Sequence, residues 1–389
     1  MGAPARGATF AAIEEAPVRS RILAVGVVLA LSLVACGSEE NDAPDEESRF
    51  PATLLGDPTQ PRFTTIADAS HGLKGPRDLA FHPERDGEAW VVNRTDESVL
   101  IIRGATGPSP SYERRKDGYA VHFMSHVSSI AFGAKNFRDD YSFGTCQEST
   151  NTYGGVAEPD YFMGPALWSA NLDVFAIENP IGLGSHIDML HHSPLCMGIA
   201  HEVDKVYWVF DGYNGQIVRY DFQHDHDAGY DDHSDGIIHF LDEPKVRRIE
   251  NIPSHLVIEK ETRKLYVAVT GRSRVLQIDI DQREFLRNLP IKESGTIVQE
   301  YTGIDWVEVV PQRTVLTAPS GIAVHDGILY VSDNATGKIH AFDVRSDFGE
   351  ELAVVDTGLE AGSLMGIEVG PDQRLYLVDF GGRVLRLER

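Results

Sequence analysis

Six stretches of this chain repeat one pattern, and that repetition constrains the fold more than any other feature. Short apolar strands recur at 76–81, 127–132, 196–201, 253–258, 319–324 and 364–369. Their central aliphatic residues are Leu79, Ile130, Ile199, Leu256, Ile322 and Ile367, spaced 45 to 69 residues apart. A polar turn follows, then a second strand opened by an aromatic: Trp90, Trp208, Tyr266, Tyr330 or Tyr376. A third strand alternates with period two, as in 216–221 and 338–343, which marks half-buried strands rather than helices. The spacing suits a four-stranded sheet per repeat, and radial repetition of such sheets is a β-propeller. The expected fold is therefore all-β, a single six-bladed β-propeller over residues 61–389 with no helix longer than a turn or two. The last strand, 383–387, has no fourth strand after it. Residues 62–67 form a strand ahead of the first repeat that can close the last blade and remove an open sheet edge.

Within the repeats, Pro319-Ser320-Gly321-Ile322-Ala323 is followed by Leu329-Tyr330-Val331-Ser332-Asp333 and then by Asn334 to Asp343. That order, P-x-G-I-A, L-Y-V-x-D, N-x-x-G-x-I-x-x-F-D, resembles the NHL repeat. It is clearest in 318–344 and 197–222 and extends from about residue 62 to the end of the chain. Blades three, five and six match well, blades one and four in part, and blade two departs by insertion.

The N-terminus reads differently. Residues 22–35 are an unbroken apolar run preceded by Arg19 and Arg21. Fourteen residues are too few to span a bilayer as a helix, which takes ~20, but suit the apolar region of a signal peptide. The run ends in Leu33-Val34-Ala35-Cys36, which looks like a bacterial lipobox and implies lipidation at Cys36. Residues 1–35 are thus expected to be a lipoprotein signal peptide. With Glu14 and Glu15 the first 17 residues make an odd basic region, and translation is expected to begin near Val18. Residues 36–60 carry seven acidic groups with prolines between them and read as a solvated tether. The expected location is the bacterial cell envelope, with the membrane engaged only through the Cys36 lipid.

Charge narrows the partners. The chain has 59 acidic and 35 basic residues, a net −24, and removing 1–35 deepens it to −25. Nucleic acid is excluded as the main partner, because phosphate binding needs a positive footprint. The partner is expected to be a small ligand or a protein.

Cys146 and Cys196 remain after Cys36, and an oxidising compartment favours their pairing. Two registers are open for blade two. Placing Tyr141 at the start of its second strand reproduces the 11-residue step from Leu79 to Trp90 and lets the two cysteines meet. Starting instead at Trp168 would send Cys146 to the far face. In the first register the insertion 147–166, with Asn151, Tyr153, Asp160, Tyr161 and Phe162, reads equally as a lid over the tunnel mouth or as a packed surface loop.

The candidate chemistry lies around the histidines. His71, His126, His186, His191, His192 and His255 precede or begin innermost strands, where tunnel-mouth ligands bind in propellers. Imidazole suits Zn, Cu or Fe, so His126, His191, His192 and His255 are the candidate metal ligands, against the alternative of hydrogen-bonded loop histidines. Asp225, Asp227, Asp231, Asp232 and Asp235 could wrap Ca²⁺ or form a solvated acidic loop; their spacing is not that of an EF-hand. Arg77, Asp78, Met197, Tyr161 and Phe162 are the candidate ligand mouth, with Arg77 and Asp78 plugging the tunnel rather than reacting. Two propeller enzyme families fail a residue-level test. The positions matching the zinc histidines of peptidylglycine amidating lyases hold Arg77, Ser128, Met197, Ser254, Ser320 and Met365, and His255 is one residue out of phase. The inner-strand Asn of the gluconolactonase type is missing at 197–199 and 319–322. No catalytic residue can be assigned, and no nucleophile elbow is present. A ligand-binding propeller is the leading expectation, with a metal-dependent propeller enzyme as the alternative.

Overall fold

The computed structural model describes residues 53–136, 138–150, 162–177 and 182–389. The expected signal peptide, Cys36 and most of the tether lie outside them, as do Asn151, Tyr153, Asp160 and Tyr161. Phe50–Arg389 is a compact unit in itself.

That unit is a six-bladed β-propeller. The innermost strands are Pro76–Phe81, Val127–Lys135, Cys196–Val203, Leu256–Glu259, Pro319–His325 and Leu364–Val369, one from each of six sheets. Each packs against the innermost strand of the next blade around the ring. The longest helix among the described residues is Ala120–Phe123.

Six apolar clusters fill the six gaps between blades. Leu79, Ile130, Ile199, Leu256, Ile322 and Ile367 each belong to a different cluster, so the repeat places one aliphatic anchor in every gap. Burying each contributes roughly 1.5–3 kcal/mol. The aromatics that open the second strands are buried beside them. The buried indoles are satisfied: Trp90 Nε1 donates to Glu88 at 2.8 Å and Trp208 to Glu202 at 2.8 Å, while Trp168, elsewhere in blade two, donates to Thr145 at 2.9 Å.

Arg62–Asp68 pairs antiparallel with Arg383–Glu388 and closes blade six, as the unpartnered last strand requires. The propeller begins earlier than residue 61, however. Leu54 and Leu55 are buried against blades five and six, and the Leu54 N–H donates to the Tyr330 hydroxyl at 2.9 Å. The end of the expected tether is packed because its two leucines gain more from an apolar groove than from water.

Blade three departs from four strands. Between the third and fourth strands of blade four, the hairpin Glu284–Asn288 and Ile297–Thr302 leaves its own sheet and joins blade three. Ile297–Thr302 runs parallel to Ile237–Leu241, making a six-stranded sheet.

In blade two the second strand is Tyr141–Gln147, and Trp168 lies in the third, Ala166–Ser169. Cys146 and Cys196 are disulfide-bonded with Cα atoms 5.1 Å apart, tying blade two to blade three. For a separation of 50 residues the bond stabilises the fold by roughly 2–4 kcal/mol. The double variant Cys146→Ser/Cys196→Ser is expected to melt roughly 3–6 °C lower by calorimetry; an unchanged melting temperature would refute this.

Candidate functional site

The inner strands can be aligned by their central aliphatic residue, and each neighbouring position then forms a ring around the tunnel. Two residues before the aliphatic stand Arg77, Ser128, Met197, Ser254, Ser320 and Met365, all buried. The Ser128 hydroxyl donates to the Cys196 carbonyl at 2.8 Å, and Arg77 donates to the Asn251 carbonyl and lies over the Phe380 ring at 5.0 Å. Burial pushes the Arg77 guanidinium down to about 10. This end of the tunnel is plugged. Arg77 and Met197 therefore line no open mouth, although Arg77 plugs the tunnel as its position suggested.

One residue before the aliphatic stand Asp78, Ser129, Gly198, His255, Gly321 and Gly366. The glycines are required by close approach. A Cβ on Gly198 would lie 2.2 Å from the Ser254 carbonyl oxygen, and one on Gly366 would lie 2.4 Å from Asp78 Oδ1. Blades one and four carry side chains at this level that reach across the axis. His255 Nδ1 lies 3.5 Å from Asp78 Oδ1, and its Nε2–H donates to the Ser128 carbonyl at 3.1 Å. Asp78 also accepts from the Leu79 and Ile130 amides, at 2.9 and 3.0 Å. Burial pushes His255 down to about 4 and Asp78 well above the usual carboxylate range. Burial thus disfavours the charged form of both groups where they face each other across the tunnel.

Below this bridge the tunnel opens at the end where the inner strands finish. A cavity of about 290 Å³ lies there, bordered by Phe81, Phe132, His201 and Lys260 near its mouth. It adjoins an outer basin of about 630 Å³ through Phe81, Pro83 and Glu368. One residue after the aliphatic the ring reads Ala80, Ala131, Ala200, Val257, Ala323 and Glu368. Five positions are small and apolar, and the sixth is a carboxylate. Glu368 accepts one hydrogen bond among the described residues, from the Val369 amide at 3.2 Å, and has no ion-pair partner among them. It is enclosed by the tunnel wall and reached by solvent only through the open end. Burial and the neighbouring Asp78 push it up to about 8. Sequence reasoning missed Glu368, yet the signal was present: it is the one charged residue in a column of Ala and Val.

Glu368 makes stability depend on pH. Its folded value, about 8, exceeds the ordinary 4.5, so its contribution is complete below about pH 4.5 and is lost as pH rises through about 8. Asp78 acts in the same direction. Between pH 5 and 9 the wild type is expected to lose on the order of 2–3 kcal/mol more than Glu368→Gln. Parallel stability–pH curves from chemical denaturation would rule out an enclosed, shifted Glu368.

The six histidines do not converge. His255 lies in the tunnel, whereas His126 is exposed beside Ser125 and His71 stacks on Tyr112. His186 lies on the outermost strand of blade two and stacks on Phe123 at 3.5 Å. His191 stacks on Phe162 at 3.8 Å, and its Nδ1 is 2.5 Å from Glu293 of the inserted hairpin, while His192 Nε2 accepts from the Lys292 amide at 3.2 Å. The proposed set His126, His191, His192 and His255 thus splits between the axis and the rim. Phe162 packs at that rim as well. Among the described residues no group of three or more His, Cys, Asp or Glu could hold a metal ion.

The aspartates expected to wrap Ca²⁺ are dispersed because each finds its own partner. Asp225 pairs with Lys205 at 3.0 Å, Asp227 with Arg138 at 3.5 Å, and Asp231 with His233 at 3.6 Å. Asp232 accepts from the Ser234 hydroxyl at 2.8 Å, and Asp235 is bound to His224 at 2.7 Å.

No protein-family model matches the chain, and no curated protein matches it. Solved structures do. A structural genomics protein of unknown function from Bacteroides thetaiotaomicron superposes with a TM-score of 0.51 at 11% identity, over 84% of this chain and 76% of that one. An auxiliary nutrient binding protein from the same organism gives 0.50 at 12%, over 85% and 77%. A streptogramin B lyase gives 0.48 at 11%, over 85% and 98%. At such identities the likeness is one of fold.

Proposed function

We propose that this chain is a lipid-anchored, extracytoplasmic propeller of the NHL type that binds a small ligand at the open end of its tunnel. One observation carries the binding reading: a cavity of about 290 Å³ with an aliphatic and aromatic wall, lined also by the Asp78–His255 pair and by Glu368, a carboxyl group with no ion-pair partner among the described residues. That is the pattern of a ligand site, mostly apolar with few placed polar groups. The site lies at the opposite end of the tunnel from the one the strand beginnings suggested, because Arg77 and its ring fill that end. The anchoring half of the proposal rests on the Leu33–Cys36 pattern and the acidic stretch after it, with the Cys146–Cys196 bond favouring an oxidising compartment. The split histidines give the metal-dependent enzyme no such support.

The binding test is native mass spectrometry of the Phe50–Arg389 unit mixed with small-molecule fractions from its own cells. Ala131 is half-buried at the cavity wall beside the cluster between blades two and three, so Ala131→Phe adds bulk at the cavity, and an unchanged melting temperature checks that the blades still pack. Adducts are expected on the wild type and absent from the variant; equal adducts on both would move the site elsewhere. Anchoring is tested by palmitate labelling in cells, with label expected on the wild type and lost in Cys36→Ala.

A further inference from the structure

We infer that the tunnel cavity takes a small organic cation, with an ammonium group against the Glu368 carboxylate and an apolar body against the aliphatic wall. This deepens the reading above and rests on the tunnel being the binding site.

Three features select this class. First, Glu368 is a half-buried acceptor at the cavity wall with unused capacity. A carboxylate offers about four acceptor directions, and among the described residues one is occupied. Enclosure favours the neutral acid, so Glu368 ionises most readily against a cation, and one supplied by a ligand completes what the fold leaves open. Second, Glu368 is alone in its ring. A polyol in this cavity would lay hydroxyls against Ala80, Ala131, Ala200 and Val257 and lose its hydrogen bonds to water without replacement. An ammonium with a hydrocarbon body needs one polar anchor and an apolar wall, and Phe81 and Phe132 add aromatic faces of the kind that attract cations. Third, the other polar groups are already engaged. Asp78 is held by two amides and faces His255, and Lys260 at the mouth donates to His201 Nδ1 at 3.1 Å. An inorganic metal ion is disfavoured by the same facts, since one free carboxylate does not make a coordination shell.

The protonation state adds a signature. The groups facing Glu368 within the cavity are Asp78, His255, His201 and Lys260. Those of the basin are His82, Glu84, Arg85, Asp86 and His325. With Glu368 pushed up to about 8, the empty site holds a proton at pH 7, and an ammonium that claims the carboxylate expels it. Binding at pH 7 should therefore release protons, up to about one per ligand bound.

The experiment is calorimetric titration of the Phe50–Arg389 unit with three probes of matched size: cyclohexylammonium, cyclohexanol and cyclohexanecarboxylate. Cyclohexylammonium is expected to bind with Kd on the order of 1 mM or tighter, at least about tenfold better than either of the others. Its heat should change with the ionisation enthalpy of the buffer, reporting proton release. Glu368→Gln should weaken it about tenfold and abolish that buffer dependence. If cyclohexanol binds as well as the ammonium, and Ala131→Phe abolishes both, the cation class is wrong and the tunnel site stands. If no probe binds and Ala131→Phe changes no adduct in the native spectra, both readings fall.

Discussion

Deleting the chain through Asp68 is expected to leave no soluble, monomeric propeller. Arg62–Asp68 is the fourth strand of blade six, and its antiparallel pairing with Arg383–Glu388 is the contact that joins the two ends of the chain into a ring. Without it, Arg383–Glu388 becomes an open sheet edge, a template for pairing with other chains. The same deletion strips Leu54 and Leu55 from the cluster between blades five and six, and Ile66 and Ala67 from the one between blades six and one. At roughly 1.5–3 kcal/mol for each of the three large side chains, the loss is on the order of 5–9 kcal/mol. That matches the whole net stability of a typical domain, about 5–15 kcal/mol. Size-exclusion chromatography with circular dichroism should show aggregate or unfolded chain. A monomer melting within about 2 °C of the wild type would show that the ring closes without this strand.

Gly198→Ala is expected to be the most damaging single-methyl change in the inner ring. The added Cβ would meet the Ser254 carbonyl oxygen at 2.2 Å, Leu256 Cδ1 at 2.8 Å and His255 Cα at 2.9 Å. Two of these are backbone atoms of the neighbouring inner strand, so no rotamer change relieves the overlap. The strands of blades three and four must separate to relieve it. The expected cost is about 4 kcal/mol or more, as in overpacked cores with no room to relax. Gly107→Ala is the matched control: its Cβ would have one neighbour, the Gly104 carbonyl at 3.5 Å, an ordinary contact. The control should change stability by less than about 0.5 kcal/mol. Equal effects in the two variants by chemical denaturation would remove close strand approach as the reason for the glycine.

These two expectations have different visibility in the amino-acid sequence. The closing strand was legible, because six repeats of strands leave one blade short and a single strand stands ahead of the first. The glycine column was visible as part of the repeat, but its reason, backbone against backbone between blades, exists only once the ring is built. The cysteine pairing was legible from an oxidising compartment, and it favoured the Tyr141 register, which also reproduces the 11-residue step to an aromatic strand. The blade-four hairpin was not. Residues 284–288 and 297–302 carry strand patterning that says nothing about which sheet they join, and the parallel pairing with Ile237–Leu241 is a long-range choice. The histidines misled because proximity to an inner strand in sequence is not proximity to the axis. His186 and His191 lie at the outer edge of blade two, where they meet Phe123, Phe162 and Glu293.

By itself the sequence determined the architecture of this protein: which residues are strands, how many blades they make, which aliphatic side chains fill the gaps and which strand closes the ring. Those properties follow from local periodicity and burial preference, which each repeat carries within itself. Tertiary structure alone decided which end of the tunnel is plugged, that Asp78 and His255 meet across it, and that Glu368 is left with no ion-pair partner among the described residues. The physical reason is that side chains from different blades share the axis, and burial in the assembled ring shifts the charge state of each.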